Sequence, residues 1–248
     1  MRPFLILFIF SAIQSSGQKA SFKEIKLRPN SKYYNAQKTT IIFPIVATKN
    51  PKIDALINSQ IKEDLFQLDN GNQSLKSALN EHINEYGLIN LSYQVTYNSS
   101  GFLSLSIYTE GCGAYCSSSN SYFNFDLLTG KEVSIYDMFL KDKIDSFKNI
   151  VQSDKINLLT KYKIEEKDFL LNSQIDSATY DWVISQVDDN CINQFSIERF
   201  SISSNSIQII DPCEFPHAIQ SQEPLIELKY TYNSIAKFLA PKFKKILK

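Results

Sequence analysis

The side chains through which this chain could do chemistry are few: four cysteines and two histidines, set among acidic clusters and tyrosines. Cys112 and Cys116 bracket Gly113-Ala114-Tyr115, while Cys191 and Cys213 flank a stretch that reads as a hairpin. Four thiols allow three pairings. Cys112–Cys116 is expected because so short a separation leaves little loop entropy to oppose closure. Mirroring the hairpin through Ser204-Asn205 sets Cys213 opposite about Ser196. A modest fold-back at Asp189-Asn190 then brings Cys191 within bonding reach of Cys213. A four-thiolate zinc site is the alternative, and it lacks the close C-x-x-C pairs such sites use.

Histidine chemistry has little support. His82 falls on the polar side of a helical pattern and reads as solvated. His217 lies in Cys213-Glu-Phe-Pro-His, beside an expected disulfide, but no G-x-S-x-G elbow presents a nucleophile to it. H-E-x-x-H and glycine-rich phosphate loops are also missing, so no cofactor, no metal and no catalytic residue is expected. Asp188-Asp189-Asn190 with Asp211 is the densest group of acidic oxygens, yet its spacing fits no calcium loop and reads as a solvated helix end. Glu63, Asp64 and Asp69 read as an exposed helix face. Tyr93, Tyr97, Tyr108, Tyr115 and Tyr122 are mostly explained by strand propensity. Tyr115 differs, because it sits at the tip of a loop pinned by two cysteines. Held rigid and exposed there, it would lose little entropy on binding a ligand; folded inward, it would only pack.

The N-terminus reads as a secretory leader: Arg2, an apolar run over residues 4–13, then Ser15-Ser16-Gly17 before a cut after Gly17 or Gln18. The run is too short to span a bilayer, and no later segment reaches the required length. No cysteine near the cut offers a lipid anchor. The mature protein is therefore expected to be soluble and extracytoplasmic, periplasmic or secreted, where disulfides persist. Basic and acidic residues balance at 26 each, which argues against a nucleic-acid partner, since such binding normally needs a basic face; the one basic cluster, Lys242, Lys244, Lys245 and Lys248, reads as a solvated end.

The elements that must position these residues follow from hydrophobic period. Residues 39–46 form a β-branched apolar strand, with Pro44 marking an edge or bulge. Asn50-Pro51 opens a helix to about Leu68, with Ile53, Leu56, Ile57, Ile61 and Leu65 in one stripe. A second helix covers residues 74–86, stopped by Gly87. Alternation at Leu91, Tyr93, Val95 and Tyr97, again at Leu103, Leu105 and Ile107, and then over residues 122–127 predicts a β-meander. Residues 138–162 and 177–186 read as helices, 195–201 and 207–211 as a hairpin, 225–230 as a strand and 234–239 as a terminal helix. Runs of strands and runs of helices predict an α+β fold, an antiparallel meander with helices packed against it. Two interlocked modules are expected, over residues 18–135 and 136–248.

Laid out this way, the sequence resembles the RsiV-like extracytoplasmic family, which includes anti-sigma-factor ectodomains and the N-terminal modules of PdaC-type peptidoglycan deacetylases. Ile57-Asn58-x-x-Ile61 carries the match early. Tyr93-x-Val-x-Tyr97, Gly101-Phe-Leu-Ser-Leu, Gly113-Ala114-Tyr115, Asn124-Phe-Asp126-x-x-Thr-Gly-Lys131 and Tyr136-Asp-Met-Phe139 carry it centrally. Pro216-His217-Ala218 and Tyr232-Asn-Ser-Ile-Ala-Lys-Phe-Leu239 carry it at the end. Family members often have histidine where this chain has Tyr115, so that histidine's role does not transfer. The resemblance implies a non-enzymatic binding or sensing module of the bacterial envelope. Its implied partners are an extracytoplasmic protein of the lysozyme kind or a cell-wall glycan. An accessory protein or hydrolase of peptidoglycan metabolism is the alternative. The expected ligand-binding residues are Gly113, Ala114, Tyr115 and His217, on the segments 111–119 and 212–222. The competing expectation is that both disulfides only staple these loops.

Overall fold

The computed structural model describes residues 18–33, 36–67, 73–172 and 177–247. The expected leader at residues 1–17 and the helix break at residues 69–72 lie outside the described residues, as does Asp69.

Five strands form the larger sheet, in the order β1 (Ser21–Leu27), β2 (Ile41–Ala47), β3 (Leu88–Ser99), β4 (Phe102–Cys112) and β5 (Cys116–Asp126). β3, β4 and β5 are the expected meander, longer than alternation alone indicated because their polar ends continue the ladder. β2 meets β3 in parallel, at Ile41 and Leu91, so the sheet is not wholly antiparallel. The cause is the crossover between them, helices α1 (Pro51–Phe66) and α2 (Leu75–Asn84). Pro44 lies where β2 has ladder partners only on its β1 side, which spares it the donor it lacks.

Both crossover helices start on side-chain caps. Asn50 Oδ1 accepts the Lys52 N–H at 3.0 Å and Ser74 Oγ accepts the Ser77 N–H at 3.2 Å. Ile53, Ile57 and Ile61 of α1, with Ala78, Leu79 and Ile83 of α2, bury against Leu103, Leu105, Ile107, Phe123 and Phe125 of the sheet. Leu56 departs from the expected stripe and is 56% exposed.

The remainder of the chain builds a second core on the opposite face of β4. It comprises α3 (Ile135–Met138), α4 (Ile144–Asn172), α5 (Ser177–Gln186) and a π-turn over Val187–Ile192. A three-stranded antiparallel sheet follows, β6 (Phe200–Ile202), β7 (Ser206–Ile210) and β8 (Glu227–Thr231). It is closed by α6 (Tyr232–Ile235) and α7 (Pro241–Ile246). Successive β4 residues point to opposite faces. Leu103 and Leu105 therefore enter the first core while Phe102 enters the second, where it meets Phe243 edge-on at 6.0 Å. The two sheets are joined by polar bonds. Asn124 Nδ2 donates to the Phe200 carbonyl at 2.9 Å, and the Ile202 N–H donates to Ser104 Oγ at 3.1 Å.

Two helix expectations change. Residues 138–162 are not one helix: a capping box at Ser134 and Asp137 makes α3 its own turn, and the Leu140 N–H donates to the Phe238 carbonyl before α4 begins. Residues 234–239 likewise do not form the terminal helix. Leu239 bridges to Phe139, and Pro241, suited to a first helical position, starts α7 beyond it.

Candidate functional site

The tip of the β4–β5 hairpin carries Cys112 and Cys116 as a disulfide, with Gly113, Ala114 and Tyr115 exposed between them. Its base is fixed by a close backbone approach. Gly87, at φ 72°, accepts the Cys112 N–H at 2.9 Å, and a Cβ there would fall 2.0 Å from the Cys112 carbonyl oxygen. Gly87 is thus more than the helix stop that the sequence offered.

Cys191 and Cys213 form the second disulfide, linking the π-turn to the segment after β7. Beside it lies a buried ion pair. Lys155 of α4, with a side chain 2% exposed, sits 2.6 Å from Asp211 and also donates to the Gln194 carbonyl at 2.7 Å. Asp211 is therefore no part of a solvated acidic group with Asp188 and Asp189. Asp188 pairs with Lys163, whereas Asp211 anchors the start of the loop in the second core. Downstream, the Glu223 carboxylate gathers the N–H groups of Cys213, Glu214 and Phe215 at 3.2–3.4 Å. Glu214 holds the left-handed conformation, φ 54°. The loop then continues as a 3-10 turn over His217–Gln222.

The two disulfide-braced segments meet. The rings of Tyr115 and His217 lie 4.0 Å apart at 38°, Tyr115 remaining 60% exposed. Tyr115 is thus a surface residue, tilted against a neighbouring ring rather than folded into the core. His82 is not the solvated residue expected: it packs between Phe66 and Tyr86, with centroids at 4.6 and 4.8 Å. Burial holds its imidazole below the usual range, against the nearby Glu81 charge and a backbone hydrogen bond.

A cleft of about 690 Å³ runs between β5 and the loop that follows β7. One wall is β5 from Ser118 to Phe123, with Asp64 of α1 behind it. The other is made by Pro212, Phe215, Gln220 and Leu225 of the loop, Leu225 being 73% exposed. A second hollow of about 350 Å³ shares Ser118, Gln220, Glu223 and Leu225 and extends the groove to Glu110 and Cys116. Burial raises the Tyr122 hydroxyl, helped by the Glu227 charge and opposed by Arg199. Partial burial also raises the Asp64 carboxyl, and the Glu63 charge adds to it.

Glu110, Cys112 and Cys116 present ligand atoms within 4.8 Å of one another. Both sulfurs are bonded to each other, so the thiolates a soft metal would need are absent in this redox state. The arrangement offers a rigid aromatic edge, small hydroxyls and carboxylates along a groove.

The cleft's polar wall and the anchoring by Lys155, Asp211 and Glu223 were not foreseen from sequence. A lysine inside an otherwise apolar helical stripe was the available signal for Lys155. Glu223, one acid among many, gave none. Among the described residues, no helix is long and apolar enough to cross a membrane.

A scan against protein-family models finds no match to this sequence. A sequence comparison with curated proteins finds no match either. The fold, in contrast, is shared with solved structures. A DUF3298 family protein from Pseudomonas aeruginosa PAO1 aligns with a TM-score of 0.53 at 13% identity, covering 92% of this chain and 97% of that one. A member of the same family from Bacteroides fragilis aligns with a TM-score of 0.57 at 14% identity, covering 91% and 95%. At such identities the likeness establishes the fold alone.

Proposed function

We propose that this protein is an exported, non-enzymatic binding or sensing module of the bacterial cell envelope. Its ligand, a protein or a cell-wall component, is held where the hairpin tip meets the 212–222 loop. The observation that carries this reading is the Tyr115–His217 contact. Two segments far apart in sequence, each tied by a disulfide, meet through an exposed aromatic whose chain neighbour, Cys116, lines the end of the groove. Rigid presentation of an aromatic lowers the entropy lost on binding. The RsiV-like resemblance of the sequence agrees with such a role, and its ectodomains supply the lysozyme-like partner class. The DUF3298 structures lend the fold and no activity.

The test is capture of muramidases and of soluble cell-wall fragments by the immobilised protein, wild type against Tyr115→Ala. Retention of one class by the wild type, weakened at least tenfold by Tyr115→Ala, supports the reading. Turnover of a glycan or ester substrate, abolished by His217→Ala, would replace it with the hydrolase alternative.

A further inference from the structure

The β5 strand is an edge of the larger sheet, and its outer backbone groups face the cleft. Antiparallel pairing alternates which residues bond to the neighbour and which point away. Asn124 accepts from the Val133 N–H, and the Asp126 N–H donates to Lys131, so the even-numbered positions of β5 point away from β4. At Ser118, Asn120 and Tyr122 the same outward N–H and C=O groups have no backbone partner among the described residues. An uncovered edge is normally shielded by charge, proline or a bulge because it invites pairing. Here Ser117-Ser118-Ser119-Asn120-Ser121 supplies only small polar side chains, and the pairing with β4 runs without a bulge.

We propose that the β5 edge accepts one extended, cationic polypeptide segment as an added strand, an inference that rests on the reading of this cleft as a binding site. The span from Ser118 to Tyr122 is about 13 Å at roughly 3.3 Å per residue, and its three outward residues offer a donor and an acceptor each. Charge selects the occupant. Asp64, Glu110, Glu214 and Glu227 line the groove, with Arg199 the one basic lining residue among the described residues. Arg199 already lies 3.8 Å from Glu214. Alternate side chains of an added strand point to opposite faces, so lysines or arginines at every second position would meet Glu110 and Glu227 on one face. A second copy of this chain is a poor occupant. Its own carboxylates would meet these, and the loop carrying Pro212 and Leu225 stands opposite the edge where a whole sheet would have to enter.

The experiment is fluorescence anisotropy with the full mature protein and three labelled probes. These are an alternating lysine–valine heptapeptide, its twin N-methylated on alternate backbone amides, and its glutamate–valine counterpart. Asn120→Pro is the protein variant, removing an outward N–H while leaving the inward ladder to β4 intact. The expected result is binding of the lysine peptide alone, weakened at least tenfold by N-methylation and by Asn120→Pro, with melting temperature held. Equal binding of the N-methylated twin, equal binding of the acidic peptide, or no binding of the lysine peptide would each overturn the proposal. So would a dimer in light scattering that Asn120→Pro dissolves. If the lysine peptide fails while envelope ligands are still captured in a Tyr115-dependent way, this inference falls and the broader reading of the cleft stands.

Discussion

Replacing Lys155 by methionine tests how the floor of the cleft is held. Lys155 and Asp211 lie 2.6 Å apart with side chains 2% and 9% exposed, so water cannot solvate either charge if the other is removed. Lys155→Met leaves Asp211 buried without its cation, retaining among the described residues only the long contact from the Ser196 N–H at 3.4 Å. It also strips the Gln194 carbonyl of its donor. Breaking such a pair from one side costs ~3–5 kcal/mol. For a domain of this size that is a fall in Tm of roughly 6–20 °C, at ~2–4 °C per kcal/mol. Replacing both partners, Lys155→Met with Asp211→Leu, should recover much of the loss, because an apolar pair of similar volume needs no desolvation of charge. Differential scanning calorimetry of the three variants at neutral pH decides it. A single variant within about 1 kcal/mol of wild type, or a double variant less stable than either single one, would refute a buried ion pair at this place.

Gly87→Ala should cost more than the ~1–2 kcal/mol of an ordinary left-handed residue, because the added carbon also meets the Cys112 carbonyl; an unchanged melting curve would contradict the close approach. Cys191→Ser/Cys213→Ser should destabilise more than Cys112→Ser/Cys116→Ser, by chain-entropy estimates of ~3 against ~2 kcal/mol, given separations of 22 and 4 residues. If the Cys112 and Cys116 variant and Tyr115→Ala both keep full ligand affinity, the hairpin tip is a staple and no site. For Asp126, burial opposes ionisation, but the hydrogen bond from Lys242 and the N–H groups of Leu128 and Thr129 hold its carboxyl below the usual range. A depressed folded pKa gives stability that is full above about pH 4 and lost as the pH falls further; Asp126→Asn should therefore flatten the acid limb of a Tm-against-pH curve. Intact mass of the secreted protein before and after reduction and alkylation should show removal of residues 1–17 and no free thiol; an uncleaved N-terminus or alkylation before reduction would refute export or pairing.

The parts of the fold visible in the sequence are those whose cause is local. Pro51 after Asn50, the Gly87 stop, and the alternation through Leu103, Leu105 and Ile107 each fix their element within a few residues. β1 escaped because Phe22, Ile25 and Leu27 break the period of two, their burial depending on β2 and Tyr93 rather than on a continuous face. The long helix over residues 138–162 failed for a tertiary reason, since Leu140 and Phe139 bond to the distant Phe238 and Leu239. At the site, Tyr115 stood out by its place between two cysteines. Its ring contact with His217, the open edge of β5 and the anchoring of Asp211 depend on contacts between segments tens of residues apart, which no local pattern encodes.

The central claim is that this cleft binds and does not turn over its ligand. Calorimetric titration of the full mature protein with muramidase and with soluble peptidoglycan fragments, followed by mass spectrometry of the recovered ligand, tests it most directly. The account predicts saturable binding of one of them, at least tenfold weaker in Tyr115→Ala, with the ligand recovered unaltered. A cleaved or deacylated product, formed by wild type and absent with His217→Ala, would contradict it.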